Sequence, residues 1–175
     1  MALVSSSKQR QGYDARRNGQ VFEEMVRHRA TRIDATLIKI PDGCRRVQGP
    51  KGLRLLPVTT PFDFVLMHRG YCITMDAKTT DNATFTYSQL DRQQLQSLYV
   101  CDQNALRSGY LIWFRKPDLV SFLDIKILKG VKPKTSVDAH DGIVLGKGSG
   151  FDLSILFQMK EITAHLKQDQ FAPIT

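Results

Sequence analysis

The run Tyr71-Cys72-Ile73-Thr74-Met75-Asp76-Ala77-Lys78-Thr79-Thr80 is built of strand-forming residues, yet it carries a carboxylate and an ammonium near its end. Side chains alternate along a strand, so Asp76 and Lys78, two apart, share one face. A shorter apolar run, Thr60-Pro61-Phe62-Asp63-Phe64, precedes it. The turn residues His68-Arg69-Gly70 predict a hairpin that brings Asp63 back toward the pair. Two aspartates and a lysine on one surface fit a hard divalent cation held through oxygens, with a cation beside an attacking water, as metal-assisted phosphodiester cleavage requires. They fit equally a surface ion pair at a strand end, which contributes little energy.

The chain has 175 residues, 42% of them apolar, enough for one ordinary core and short for two, so we expect one domain. No apolar run approaches the roughly 18 residues of a membrane span, and Met-Ala-Leu-Val-Ser-Ser-Ser-Lys lacks the apolar stretch of a signal peptide, so a soluble cytoplasmic protein is expected. Cys44, Cys72 and Cys101 are odd in number and widely spaced, with only His28, His68, His140 and His165 as imidazole partners, which points to thiols rather than disulfides or zinc. The formal charge of +8 is concentrated early: residues 1–54 carry twelve Lys/Arg against five Asp/Glu, residues 55–175 thirteen against twelve. On charge alone a solvated surface and a polyanion footprint fit equally well.

Residues 1–13 are polar and read as a mobile basic arm. From Asp14 to Ile33 the spacing of Val21, Phe22, Met25, Val26 and Ala30 predicts an amphipathic helix, with Glu23 about one step outside the apolar arc, at the edge of the core. Thr36–Ile40 reads as a strand stopped by Pro41-Asp42-Gly43. Residues 44–59, with Arg45, Arg46, Lys51 and Arg54 among glycines and Pro50, read as a long basic connecting loop. Ser88 as N-cap, with Asp91 three residues on, opens a helix to about Asn104 whose buried face holds Leu90, Leu95, Leu98 and Cys101. Leu111–Phe114 and Val120–Leu123 predict a second hairpin, and Gly142–Gly146 a short strand. Gly146-Lys147-Gly148-Ser149-Gly150 lacks the ending of a phosphate loop and reads as a linker before an amphipathic helix from Asp152 to about Lys167.

Several of these stretches carry a family resemblance. Asn18-Gly19-Gln20-Val21-Phe22-Glu23 is similar to an opening Arg-Gly with a helix Glu four residues after the Gly. Ile38-Lys39-Ile40-Pro41 is similar to a Lys-x-Pro strand end, and Thr60-Pro61-Phe62-Asp63-Phe64 to an Asp-Phe strand. Asp76-Ala77-Lys78-Thr79-Thr80 is similar to Glu-Ala-Lys with following threonines, and Gln93-Gln94 stands where a His-Gln helix motif would. In this order, over roughly residues 14–125, they resemble the PD-(D/E)xK nuclease superfamily and, within it, the RecU-like Holliday junction resolvases. Asp76 in place of Glu and Gln93 in place of His are departures, and nothing after about Asp124 corresponds.

The resemblance implies an α/β, restriction-endonuclease-like core, a mixed central sheet flanked by helices, in a single nuclease domain over 14–175. It implies a magnesium-dependent endonuclease, with manganese able to substitute, that resolves four-way DNA junctions as a homodimer in the cytoplasm of a bacterial cell or a virus-infected bacterial host. Its catalytic residues would be Glu23, Asp63, Asp76, Lys78 and Gln94, its metal donors Asp63, Asp76, the Ala77 main-chain carbonyl and Glu23, and its DNA contacts Arg16, Arg17, Arg45, Arg46, Lys51 and Arg54. A less selective repair or restriction-type nuclease, and a catalytically silent DNA-binding domain, are the alternatives.

Overall fold

A computed structural model describes residues 3–158 except 42, 50, 51, 59, 105, 106 and 129–134, with the backbone alone for 3–13, 44–46, 49 and 54–58. The first element is a single long helix, α1 (Leu3–Arg32). Phe22, Val26 and Ala30, each four residues after the last, are fully buried along one stripe of it. The helix ends in a Schellman-type cap made without glycine. Ala35 N donates to Ala30 O and Asp34 N to Thr31 O, with Asp34 itself at φ 55°. Of the mobile arm expected at 1–13, the described residues 3–13 are instead the first part of α1. Its Lys, Gln and Arg residues are good helix formers, no proline interrupts it, and each added residue gains a hydrogen bond on a helix already nucleated by packing.

β1 (Thr36–Lys39) follows, then β2 (Gly43–Gly49) and β3 (Gly52–Val58), β4 (Phe64–His68), β5 (Tyr71–Thr80), β6 (Thr84–Thr86), α2 (Arg92–Gln103), β7 (Arg107–Phe114), β8 (Leu119–Asp124), α3 (Ile125–Leu128), β9 (Ser136–Asp138) and β10 (Ile143–Lys147). Six strands form one mixed sheet in the order β1-β4-β5-β7-β8-β10, parallel only where β5 meets β7. A parallel neighbour needs a crossover, and the chain between β5 and β7 supplies it with β6 and α2. β6 pairs with β9 in a separate two-stranded ribbon.

Where a loop over 44–59 is expected from sequence, the described residues form an antiparallel pair of strands, β2 with β3 from Gly43↔Val58 to Gly49↔Gly52. Glycines at its turn end, with Gly52 at φ 102°, let the backbone reverse, so a stretch that reads as irregular by composition pairs with itself. It forms a sheet of its own, separate from the main one, and Leu53 is 71% exposed on it.

The two faces of the main sheet bury different sets. Phe64, Leu66, Ile73, Met75, Leu111, Val120, Phe122 and Leu145 pack with Phe22, Val26 and Ala30 of α1 and with Phe151, Leu153, Leu156 and Phe157 beyond β10. On the other face Tyr110, Ile112, Phe114 and Leu123 pack with Leu98 of α2, Ile125 and Leu128 of α3 and Phe85 of β6. Alternation thus puts Ile73, Met75 and Ala77 toward α1, and Thr74, Asp76 and Lys78 toward α2. The β4–β5 turn is two residues, Arg69 and Gly70, both at positive φ (47° and 79°), which suits the twist of a tight hairpin.

The second predicted hairpin and the short strand near Gly142 are present as β7–β8 and β10. Helix α2 is capped by Asp91, whose side chain accepts from Gln93 N and Gln94 N, whereas the expected cap Ser88 lies in a short 3-10 turn, Tyr87–Gln89. A carboxylate that takes two free N–H groups is the stronger cap. Residues 155–158 are helical, and the remainder of the helix expected to about Lys167 lies outside the described residues. Among the described residues no helix is long and apolar enough to cross a membrane.

Candidate active site

Pairing between β4 and β5 ends at Phe64↔Met75, and one residue further out the two strands part. Asp63 sits at that fork. Its N–H donates to Met75 O (3.2 Å), its carbonyl accepts from Ile40 N (2.8 Å), and its Oδ2 accepts from Ala77 N at 2.8 Å. The Ala77 N–H has no β4 partner once the ladder stops, and a buried orphan donor is costly, so the Asp63 carboxylate takes the place of the missing strand. That interaction fixes Asp63 beside Asp76.

Asp76 is 0% exposed, and neither of its carboxylate oxygens has a hydrogen-bond partner. Lys78 Nζ stands 2.5 Å from Asp76 Oδ2, a close ion pair without the alignment of a hydrogen bond. The same ammonium donates to Gln94 Oε1 at 3.0 Å, and Gln94, on the first turn of α2, is itself buried. Burial raises the Asp76 pKa from 3.8 to about 7; Lys78 opposes the rise and the Asp63 carboxylate adds to it. A carboxyl in this setting is poised to gain a proton or a cation.

Glu23 is placed differently. It leaves α1 to form a partly buried ion pair with Lys39, at the end of β1. Lys39 pairs in register with Phe64, next to Asp63, so this pair borders the fork while its carboxylate is engaged by its own cation. Among the described residues no three of His, Cys, Asp and Glu stand together as a metal-ligand set. The two carboxylates at the fork nevertheless suit one hard cation. Asp76 has two buried oxygens without a hydrogen-bond partner, and magnesium is commonly held by one or two carboxylates with water and phosphate completing its shell.

Of the expected site residues, Asp63, Asp76, Lys78 and Gln94 are thus brought together, with Ala77 between them on β5. Arg16 and Arg17 are exposed on α1. Arg45, Arg46 and Arg54 lie on the β2–β3 hairpin, described by backbone, and Lys51 lies outside the described residues. Sequence reading gave no role to Lys39, and gave Asp91 only the third place in a capping box opened by Ser88, where the structure makes Asp91 the cap itself. A lysine one residue before the end of an edge-strand segment, with a carboxylate on the preceding helix, was the available signal for the first.

The chain matches the sequence model of the RecU family, Recombination protein U, over residues 55–141, which include all four clustered residues. The chain is RecU-like. No curated protein matches it. The RecU-like chain is also similar in structure to Hjc of Archaeoglobus fulgidus, a Holliday junction resolvase from an archaeal hyperthermophile, at 11% identity and a TM-score of 0.52. The match covers 72% of this chain and 95% of the other. At that identity the likeness speaks to fold, and the fold is the expected restriction-endonuclease-like mixed sheet flanked by helices. Glu23 and the arginines of α1, β2 and β3 fall outside the part of the RecU-like chain that the family model spans.

Proposed function

We propose that the chain is a metal-dependent, structure-selective DNA endonuclease that resolves four-way (Holliday) junctions by paired phosphodiester cleavage. The observation that carries this reading is the convergence of Asp63, Asp76, Lys78 and Gln94 at the fork between β4 and β5, inside the stretch matched to the RecU family. Asp63 and Asp76 would hold Mg2+, or Mn2+ in its place, with the Ala77 carbonyl as a neutral donor and Glu23 as a further carboxylate once freed from Lys39. When bound, such an ion lowers the pKa of water and offsets charge on the scissile phosphate.

The remaining work belongs to the side chains. Gln94 accepts one hydrogen of the Lys78 ammonium and so fixes its direction, leaving its other donors for the attacking water or a phosphate oxygen. There Lys78 orients the nucleophile and stabilises negative charge as it develops. Asp76 takes part ionised, and the proton that burial favours must leave as the cation binds. Two symmetric nicks need two such sites, which a two-fold homodimer provides. The exposed arginines of α1 and the basic β2–β3 hairpin would grip phosphates without reading bases.

The test is cleavage of a synthetic four-way junction, with product ends mapped on both strands of the symmetric pair. Asp76→Ala should abolish magnesium-dependent nicking and leave junction binding largely intact. Undiminished cleavage refutes the site assignment, and equal rates on linear duplex point to a less selective nuclease.

A further inference from the structure

One buried group beside the site takes no part in the scheme above. Tyr110 is fully buried in β7, and its hydroxyl has no hydrogen-bond partner. β5 and β7 run parallel with Asp76 and Tyr110 as register partners, so the two side chains leave the sheet next to each other on the α2 face. The Asp76 oxygens and Ser121 Oγ are likewise buried on that face without a hydrogen-bond partner, and of these two side chains Asp76 is the one in register with Tyr110. A hydroxyl without an acceptor beside a buried carboxylate that has an ion-pair partner but no hydrogen-bond donor, on adjacent strands, is an arrangement that native structures rarely leave unresolved.

The competing acceptors are few. Burial acts on the phenol first, and the ionisable groups near enough to affect it are Asp76, Tyr87, Asp91 and Tyr99. Asp91 Oδ1 is occupied by Gln93 N and Gln94 N. The Tyr87 hydroxyl donates to Leu128 O at 3.4 Å. The neighbouring hydroxyls on the same face, Thr74 and Ser108, satisfy each other at 2.7 Å. Among the described residues Asp76 is therefore the strongest acceptor beside Tyr110, and Tyr110 is a neutral donor beside Asp76, whose cationic partner Lys78 is shared with Gln94.

We propose that Tyr110 is a positioning residue for Asp76: its hydroxyl, directly or through one water, supplies the hydrogen bond that fixes the carboxylate for ligand binding. A carboxylate so held from behind presents its other oxygen toward the fork, and a hydrogen bond to the charged form favours ionisation. The consequence for metal affinity rests on the proposed function; the contact itself does not.

Two measurements separate these. In metal-free full-length protein carrying [13Cζ]tyrosine, with the Tyr110 resonance assigned through Tyr110→Phe, that resonance should shift on Asp76→Asn. A Tyr110 resonance indifferent to Asp76→Asn overturns the proposal. In calorimetric Mn2+ titrations, Tyr110→Phe should weaken binding by roughly tenfold to a hundredfold, the usual effect of losing such an outer partner. Its urea midpoint should fall modestly, because the buried Asp76 carboxyl loses its donor. The control Ser108→Ala, which disturbs the adjacent hydroxyl pair, should leave Mn2+ affinity alone. Equal Mn2+ affinity in wild type and Tyr110→Phe also overturns the proposal. A wild-type protein that binds no Mn2+ but shows the resonance shift would retain the contact and refute the metal reading.

Discussion

Replacing Asp76 with asparagine should make the metal-free protein relatively more stable as the pH rises, the reverse of what removing an ordinary paired carboxylate does. Asp76 has its pKa raised from 3.8 to about 7 by burial, so between those values the native state keeps a proton that the unfolded chain has released. Stability contributed by that proton is complete below pH 3.8 and is lost as the pH climbs through 7. At about 1.4 kcal/mol per pKa unit, the full span is worth on the order of 4 kcal/mol, and the part lost between pH 5.5 and pH 8 about 2 kcal/mol. Asparagine keeps the shape and cannot titrate. The difference between the two proteins therefore reports on Asp76 together with the Lys78 and Asp63 charges that act on it. Urea unfolding in the presence of a chelator, at several pH values from 5.5 to 8, should show wild type losing about 2 kcal/mol relative to Asp76→Asn. Magnesium at saturating concentration should narrow the difference at pH 8, because a cation stabilises the ionised form in wild type only. A difference that stays flat across this window would refute the claim that burial outweighs the Lys78 ion pair and holds a proton on Asp76 in the free protein.

Gln94→Ala should lower the single-turnover rate of junction cleavage by roughly tenfold to a hundredfold with little change in DNA affinity, the effect of losing one hydrogen bond to a charged group; an unchanged rate would show that Lys78 needs no support. Gly109→Ala should destabilise by about 3 kcal/mol or more by urea unfolding, since its Cβ would run into Leu123 O and lie 2.8 Å from Phe122 Cζ; wild-type stability would mean that β7 and β8 can separate more easily than their packing suggests. Changing Arg45 and Arg46 together to alanine should reduce the slope of log affinity against log salt by about one for each phosphate contact removed, measured by anisotropy on a junction; an unaltered slope would take the β2–β3 hairpin out of the DNA interface.

The central strand and its chemistry were legible in the sequence because they depend on short-range rules. Alternation put Asp76 and Lys78 on one face, the Arg69-Gly70 turn returned Asp63 to them, and the 3.6-residue period found the buried stripe of α1 and of α2. What stayed hidden depends on tertiary partners. Glu23 lies at the edge of the core as its helix position predicts, but its engagement with Lys39 follows from where β1 ends, which no local pattern encodes. The β2–β3 hairpin was hidden by composition, since glycine, proline and arginine describe a loop unless the chain pairs with itself. Tyr110 reads as one more aromatic in a core strand; its significance appears only when the parallel register sets it beside Asp76. The four-residue α3 and the β6–β9 ribbon are too short to leave a periodic trace.

The two-residue turn at Arg69 and Gly70 lies six residues or more from Asp76 along the chain, on the order of 20 Å away, and touches none of the chemistry. Yet it acts as the ruler of the hairpin. With Phe64 held opposite Met75, the Asp63 carboxylate lands on Ala77 N; one residue inserted in the turn would either slide that pairing or turn the apolar side chains of a strand away from α1. Surface loops usually accept insertions, but this one should not. The residue types of this turn are free within what positive φ permits, while its length is fixed by a site at the other end of the hairpin.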